Sequence, residues 1–177
     1  VFLQIENEEI VGAEILVEGT RKPILDIGSQ VGLGFYRVPQ SISMSDMDIA
    51  LCSSGLSALA YRKHFRVPVI SILGVYQKEI SPDLLDELVA YIKAGKTIHI
   101  ALDNTKEDRK LALRLKSALE AMLNKIPTNR ILILHPRSAS PTNSPDRSES
   151  WYDLLTNRAS KDSSTKHSQL DGPNLSH

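Results

Sequence analysis

At 177 residues, 41% of them hydrophobic, the chain is long enough for one domain with a real core plus additional segments. Lys plus Arg number 21, as do Asp plus Glu, so the overall basic surplus of a dedicated nucleic-acid binder is missing and only a local patch could take its place. One cysteine, Cys52, excludes an internal disulfide framework and a cysteine-rich zinc site, and no run approaches the ~20 apolar residues of a membrane span.

The chain begins with Val1, without a charged-then-apolar leader, and enters a strand pattern at once, as a fragment or a chain lacking upstream sequence would. Residues 1–40 read as a β-rich element. Val1 to Ile5 and Ile10 to Val17 flank an acidic turn, as in a hairpin, and Gly32 to Val38 forms a further strand after the turn at Gly28 and Ser29. A polar connector with two Met residues follows.

Residues 47–136 alternate between strand and helix. Ile49 to Cys52 is a strand, Gly55 to Phe65 a helix, and Val67 to Leu73 a second strand. Ser81 caps the next helix, with Pro82 at its first position, and that helix ends near Gly95. Thr97 to Leu102 is the third strand. The helix from Lys106 to Leu123 carries Leu111, Leu115, Ala118, Leu119 and Met122 at the spacing of one buried face. Arg130 to His135 is the fourth strand. Apolar strands alternating with helices predict an α/β fold with about four parallel strands covered on both faces. Residues 137–177, rich in Ser, Thr, Asn, Asp and Pro, cannot bury enough apolar surface to fold alone and are predicted to be mostly disordered. Residues 150–155, which hold the only tryptophan, Trp151, could dock on the body.

Asp103 is the most informative residue. A carboxylate at the C-terminal end of a parallel strand sits where open α/β sheets keep their ligands. It reads either as part of a metal or phosphate site or as a turn residue bonded to nearby backbone. Thr105 fits a helix N-cap in a capping box with Asp108, and Asp108, a turn into the helix, makes a poor ligand. Ser53, Ser54 and Gly55 open a helix whose amides attract phosphate, although ordinary capping by Ser54 accounts for them as well. Gly74 permits close backbone approach to a phosphate, or makes a turn. Lys106, Lys110 and Arg114 recur every four residues, either as a stripe for nucleic-acid phosphates or as a solvated helix face. Cys52 reads as a buried, inert thiol. His64, His99 and His135 lack metal-ligand spacing. Gly32 and Gly34 lack the third glycine and the helix of a dinucleotide fingerprint.

The strand–loop–helix through Ser53 to Tyr61, the strand ending at Gly74, and Ala101 to Ala112 leading into the next helix resemble a Toprim domain. That is the small α/β domain of bacterial primases, type IA and type II topoisomerases and some nucleases. The likeness is nearest to the subgroup in plasmid and mobile-element primase- and relaxase-like proteins, where a small β-rich domain precedes the Toprim and a Trp-containing motif closes it. Here the zone ending near Val38 and residues 150–155 are the counterparts, so the likeness covers residues 1–155.

The resemblance implies a glutamate in the first loop, as general acid or base, and an Asp-x-Asp pair that holds Mg²⁺. Those positions fall on Ser53, Asp103 and Thr105, so one of three carboxylates survives. Mg²⁺ wants oxygen ligands in an octahedron and typically takes one or two carboxylates, and in-line phosphoryl transfer depends on it. A serine does not replace a glutamate as general base without an activating neighbour. The expected protein is a cytoplasmic, degenerate Toprim-like module that binds DNA, nucleotide or partner replication or transfer proteins, without a membrane. Its Mg²⁺ would be weak or absent and its catalysis weak or lost. Two alternatives stay open. Asp103 could still hold Mg²⁺ with a carboxylate from Glu79, Asp146 or Asp153, in an active nucleotidyl transferase or nuclease. Or the chain could be an unrelated flavodoxin-like binding or interaction domain that shares only architecture.

Overall fold

Continuous apolar strands and capped helices dominate residues 47–136, and the described part of this zone folds as alternating strands and helices. A computed structural model describes residues 2–6, 9–15, 24–25, 29, 35–39, 42–43, 45–72, 80–124, 128–136 and 150–155. Glu79, Gly74 and Asp146, together with residues 137–149 and 156–177, lie outside the described residues.

Strands β1 (Phe2–Glu6) and β2 (Glu9–Ile15) pair antiparallel, and β3 (Ile24–Leu25) pairs with the far edge of β2. The second sheet comprises β4 (Tyr36–Val38), β5 (Asp48–Cys52), β6 (Val69–Ser71), β7 (Thr97–Ile100) and β8 (Ile131–Ile133), in the order β4-β6-β5-β7-β8. Four of these strands run parallel, in a mixed sheet of five where the sequence suggested about four. The fifth, β4, falls within the zone read as the N-terminal element, yet it pairs antiparallel with β6, Tyr36 opposite Ser71. It covers the unpaired backbone that β6 would otherwise present as a sheet edge.

Helices α1 (Gly55–Phe65), α2 (Pro82–Lys93) and α3 (Lys106–Leu123) begin at N-caps Ser54, Ser81 and Thr105. Arg66 ends α1 in the left-handed conformation, with its amide bonded to the Arg62 carbonyl. Residues 150–155 fold onto the body, 151–155 as a helical turn.

The two sheet faces are packed differently. Ile49, Leu51, Ile98 and Ile100 join Leu84, Leu88 and Ile92 of α2 and Leu111, Leu115 and Leu119 of α3 in a large aliphatic core. On the opposite face the same strands present small side chains, Ala50 and Cys52, with Ala101 just beyond β7. Gly55, Ser57, Ala58 and Tyr61 form the buried side of α1 there, and Tyr61, Trp151 and Leu155 complete the layer. The buried stripe of α3 turns out to be Asp108, Leu111, Ala112, Leu115, Leu119 and Leu123. Met122, predicted on that face, is 41% exposed. Steps of four residues drift by ~40° around the helix, which carries the face past Met122 to Leu123.

Lys96 is buried, and its ammonium donates to the carbonyls of Ser43, at 2.9 Å, and Asp46, which pins the connector to the start of β7. Strand β5 leads to β6 on one side and pairs with β7 on the other, so the chain order reverses between β5 and β7. The loops after these two strands therefore meet at the carboxyl edge of the sheet, where doubly wound folds open a crevice.

Candidate functional site

Ser53 and Asp103 face each other across that crevice. The Ser53 hydroxyl accepts from the Asp103 amide at 2.8 Å and donates to Asp108 Oδ1 at 3.1 Å. Thr105 caps α3 by accepting from the Asp108 amide at 3.0 Å, and its own hydroxyl donates to Asp108 Oδ2 at 2.8 Å. Both oxygens of Asp108 are thus held by neutral hydroxyls. Asp108 is fully buried rather than a bystander one turn into the helix, because its place in the first turn of α3 turns it toward Ser53. Burial raises its pKa, offset by the Thr105 and Ser53 hydroxyls and by the charge of His135.

Asp103 is half-buried. Its Oδ1 accepts from the Trp151 amide at 3.0 Å and from the Ser57 hydroxyl at 3.0 Å, and its Oδ2 lies 3.3 Å from the same hydroxyl. Burial pushes its pKa up to about 7 against the pull of the Trp151 and Ser57 donors, with Asp108 and Asp153 adding to the rise. The docking of residues 150–155, open from sequence, is therefore tied to the crevice by a direct hydrogen bond. Trp151 packs edge-on to Tyr61, at 5.0 Å between ring centroids, and lies near Phe65. Asp153 is engaged by Ser150, which donates its hydroxyl at 2.8 Å and accepts from the Asp153 amide at 3.0 Å.

A further carboxylate arrives from the small sheet. Glu14 on β2 is 1% exposed, and its Oε2 accepts from the Gly55 amide, the first of α1, at 2.6 Å. Its Oε1 is buried and has no hydrogen-bond partner among the described residues. Burial pushes the Glu14 pKa up to about 7; the Gly55 amide works against the rise and the Asp103 charge adds to it. Gly55 has no room for a side chain. An added Cβ would lie 2.5 Å from the Phe2 ring and 2.8 Å from Glu14 Oε2. Gly55, singled out in the sequence for phosphate, is thus also the seat for two residues of the N-terminal sheet. Ser54 caps α1, accepting from the Ser57 amide at 3.2 Å.

The remaining candidates lie apart from this network. Lys106, Lys110 and Arg114 are exposed along α3. Cys52 is fully buried, and burial drives its thiol pKa well up, which keeps it protonated and unreactive. His99 is near Tyr61 and Asp48, and burial lowers its pKa. Among the described residues no group of three or more His, Cys, Asp or Glu is arranged to hold a metal ion.

Among the described residues, the carboxylates at the crevice do not fit the Mg²⁺ that the Toprim resemblance implies. Asp103 and Asp108 are already taken up by protein donors and Glu14 holds the Gly55 amide through one oxygen, whereas hard-cation sites offer carboxylate oxygens to the ion. Sequence reading missed Glu14, Ser57 and the carboxylate role of Asp108. The one signal for Glu14 was a charged residue inside the apolar run from Ile10 to Val17.

Among known proteins the chain matches no family model, no curated protein and no solved structure. No helix among the described residues is long and apolar enough to cross a membrane.

Proposed function

We propose that the chain is a degenerate Toprim-like module of a plasmid or mobile-element DNA replication or transfer protein, which binds nucleic acid or partner subunits with weak or lost catalysis. The observation that carries this reading is the Ser53 hydroxyl, bonded to both the Asp103 amide and Asp108 Oδ1. Where the Toprim pattern would have an acid to work on substrate, this chain has a hydroxyl that ties two loops together. A neutral hydroxyl at 3.1 Å from a buried carboxylate supports a structural role, since a charge removed from water needs such partners to persist. Thr105 follows the same logic, with its oxygen committed to capping α3.

On this reading, binding falls to surfaces outside the acidic centre. The exposed stripe of Lys106, Lys110 and Arg114 is the basic surface offered to phosphates. The test is DNA binding measured across salt concentrations for the wild type and for the triple variant Lys106→Gln, Lys110→Gln, Arg114→Gln. The wild type should lose affinity steeply with salt, and the variant should bind more weakly with a slope smaller by about two to three. Identical binding by both would remove the stripe from the account. Mg²⁺-dependent strand cleavage or primer synthesis abolished by Asp103→Asn would replace this reading with an active enzyme.

A further inference from the structure

Ser150 accepts from the Asp153 amide and so starts the helical turn 151–155, whose first amide, that of Trp151, donates to Asp103 Oδ1 at 3.0 Å. A carboxylate in that place meets the free amides and the positive end of a helix dipole. Beside Asp103 the sheet face carries small side chains, Ala50, Cys52 and Ala101, with Ala58 of α1. The depth they leave is taken by Trp151 and Leu155, four positions apart on one face of the turn. The fit is incomplete in three respects. The indole Nε1 of Trp151 is buried with no hydrogen-bond partner among the described residues, a cost that a ring without an N–H does not carry. A turn this short does not hold a helix by itself. At the rim, Phe65 stays 42% exposed beside Trp151, and Leu132, on the sheet face of Ala50 and His99, stays 41% exposed.

We propose that this groove is a docking site for an amphipathic helix of a partner subunit, entered with its amino end at Asp103, and that residues 150–155 are a strap that fills it in the partner's absence. The inference rests on the partner-binding half of the module reading. The strap shows what the groove recognises: an aromatic residue at the start of the helix, a leucine four positions on, and a free amide aimed at the carboxylate. Phe65 closes α1 at the end away from the crevice, and Leu132 lies level with His99, so both continue the groove beyond Asp103. A longer helix keeps the strap's contacts and covers these two side chains as well. With phenylalanine in place of tryptophan, it also strands no indole N–H. The strap's own advantage is its tether to the same chain, which raises its local concentration. The partner wins by the additional apolar area that the open rim supplies.

The probe is a helix-stabilised peptide that repeats the sequence of residues 150–155, with phenylalanine for the tryptophan, and continues with further leucines on the same face. It is titrated into the full wild-type chain, where Trp151 is the only tryptophan. Trp151 emission should shift to the red and become open to quencher as the peptide takes the groove, with NMR shifts at the amides of Ala58, Phe65, Ala101 and Leu132. The double variant Trp151→Ala, Leu155→Ala, whose strap no longer fits, should bind the same peptide about tenfold more tightly, since apparent Kd rises with the share of grooves the strap fills. Adding Asp103→Asn to that variant should weaken binding by about threefold, through the charge lost at the helix's amino end. A peptide that leaves Trp151 emission and the groove amides unchanged in the wild type overturns the docking site, whether or not the double variant folds. So does equal affinity of the wild type and a folded double variant. Release of Trp151 on concentrating the chain alone, with light scattering giving a dimer, would make a second copy the occupant and discard the partner. Salt-dependent DNA binding by the α3 stripe, measured on the same samples, separates failure of the groove from failure of the module reading.

Discussion

The middle and the carboxyl end of strand β5 are stabilised by opposite means. Its middle, Ile49 and Leu51, packs into aliphatic side chains from α2 and α3, with no polar group to satisfy. Its carboxyl end, at Cys52 with Ser53 just beyond, opens into a cluster of buried and half-buried oxygens: Ser53, Ser57, Asp103, Asp108 and Glu14. The aliphatic part gains by leaving water, at about 25 cal/mol per Å². The acidic part gains little from burial, and each carboxylate persists through specific donors or by taking up a proton.

The contrast can be broken at either end. Leu88→Ala opens a void in the aliphatic core beneath α2 and should lower unfolding free energy by about 2–5 kcal/mol, read from urea denaturation. Ser53→Ala removes the hydroxyl shared by the Asp103 amide and Asp108, and should lower it by about 1–3 kcal/mol through groups left unpaired. If Ser53→Ala were neutral, the polar network would not be holding the loops together.

A subtler effect concerns pH. Asp103 and Glu14 both have folded-state pKa values raised to about 7, above their unfolded values. The folded chain therefore binds more protons than the unfolded chain between about pH 4 and 7, and the part of stability set by these groups falls as pH rises through that window. The urea midpoint of the wild type should drop between pH 5 and pH 8, and Asp103→Asn should drop less. An equal drop in both would mean that Asp103 is already ionised at pH 5.

Much of the framework was legible in the sequence, because β5, β7 and the helices after them are signalled locally. Thr105 with Asp108, and Ser81 with Pro82, announce their helices within four residues. Strand β4 was visible as a strand but not as a member of the larger sheet, since its pairing with β6 joins Tyr36 to Ser71 across the polar connector, β5 and α1. The site was legible at Ser53, Gly55, Asp103 and Thr105. Glu14 reaches Gly55 from 41 positions away, and Trp151 reaches Asp103 from 48, and no periodicity encodes such a meeting. Asp108 was readable as part of a cap, but its second bond, to Ser53, spans 55 positions.

The central claim is that the acidic centre is committed to the protein's own donors. A Mn²⁺ titration followed by paramagnetic broadening of backbone NMR signals, in the wild type and in Asp103→Asn, tests it most directly. No selective broadening around Ser53, Asp103 and Thr105 is expected in either protein. Selective broadening there in the wild type, lost in Asp103→Asn, would show a working metal site and contradict it.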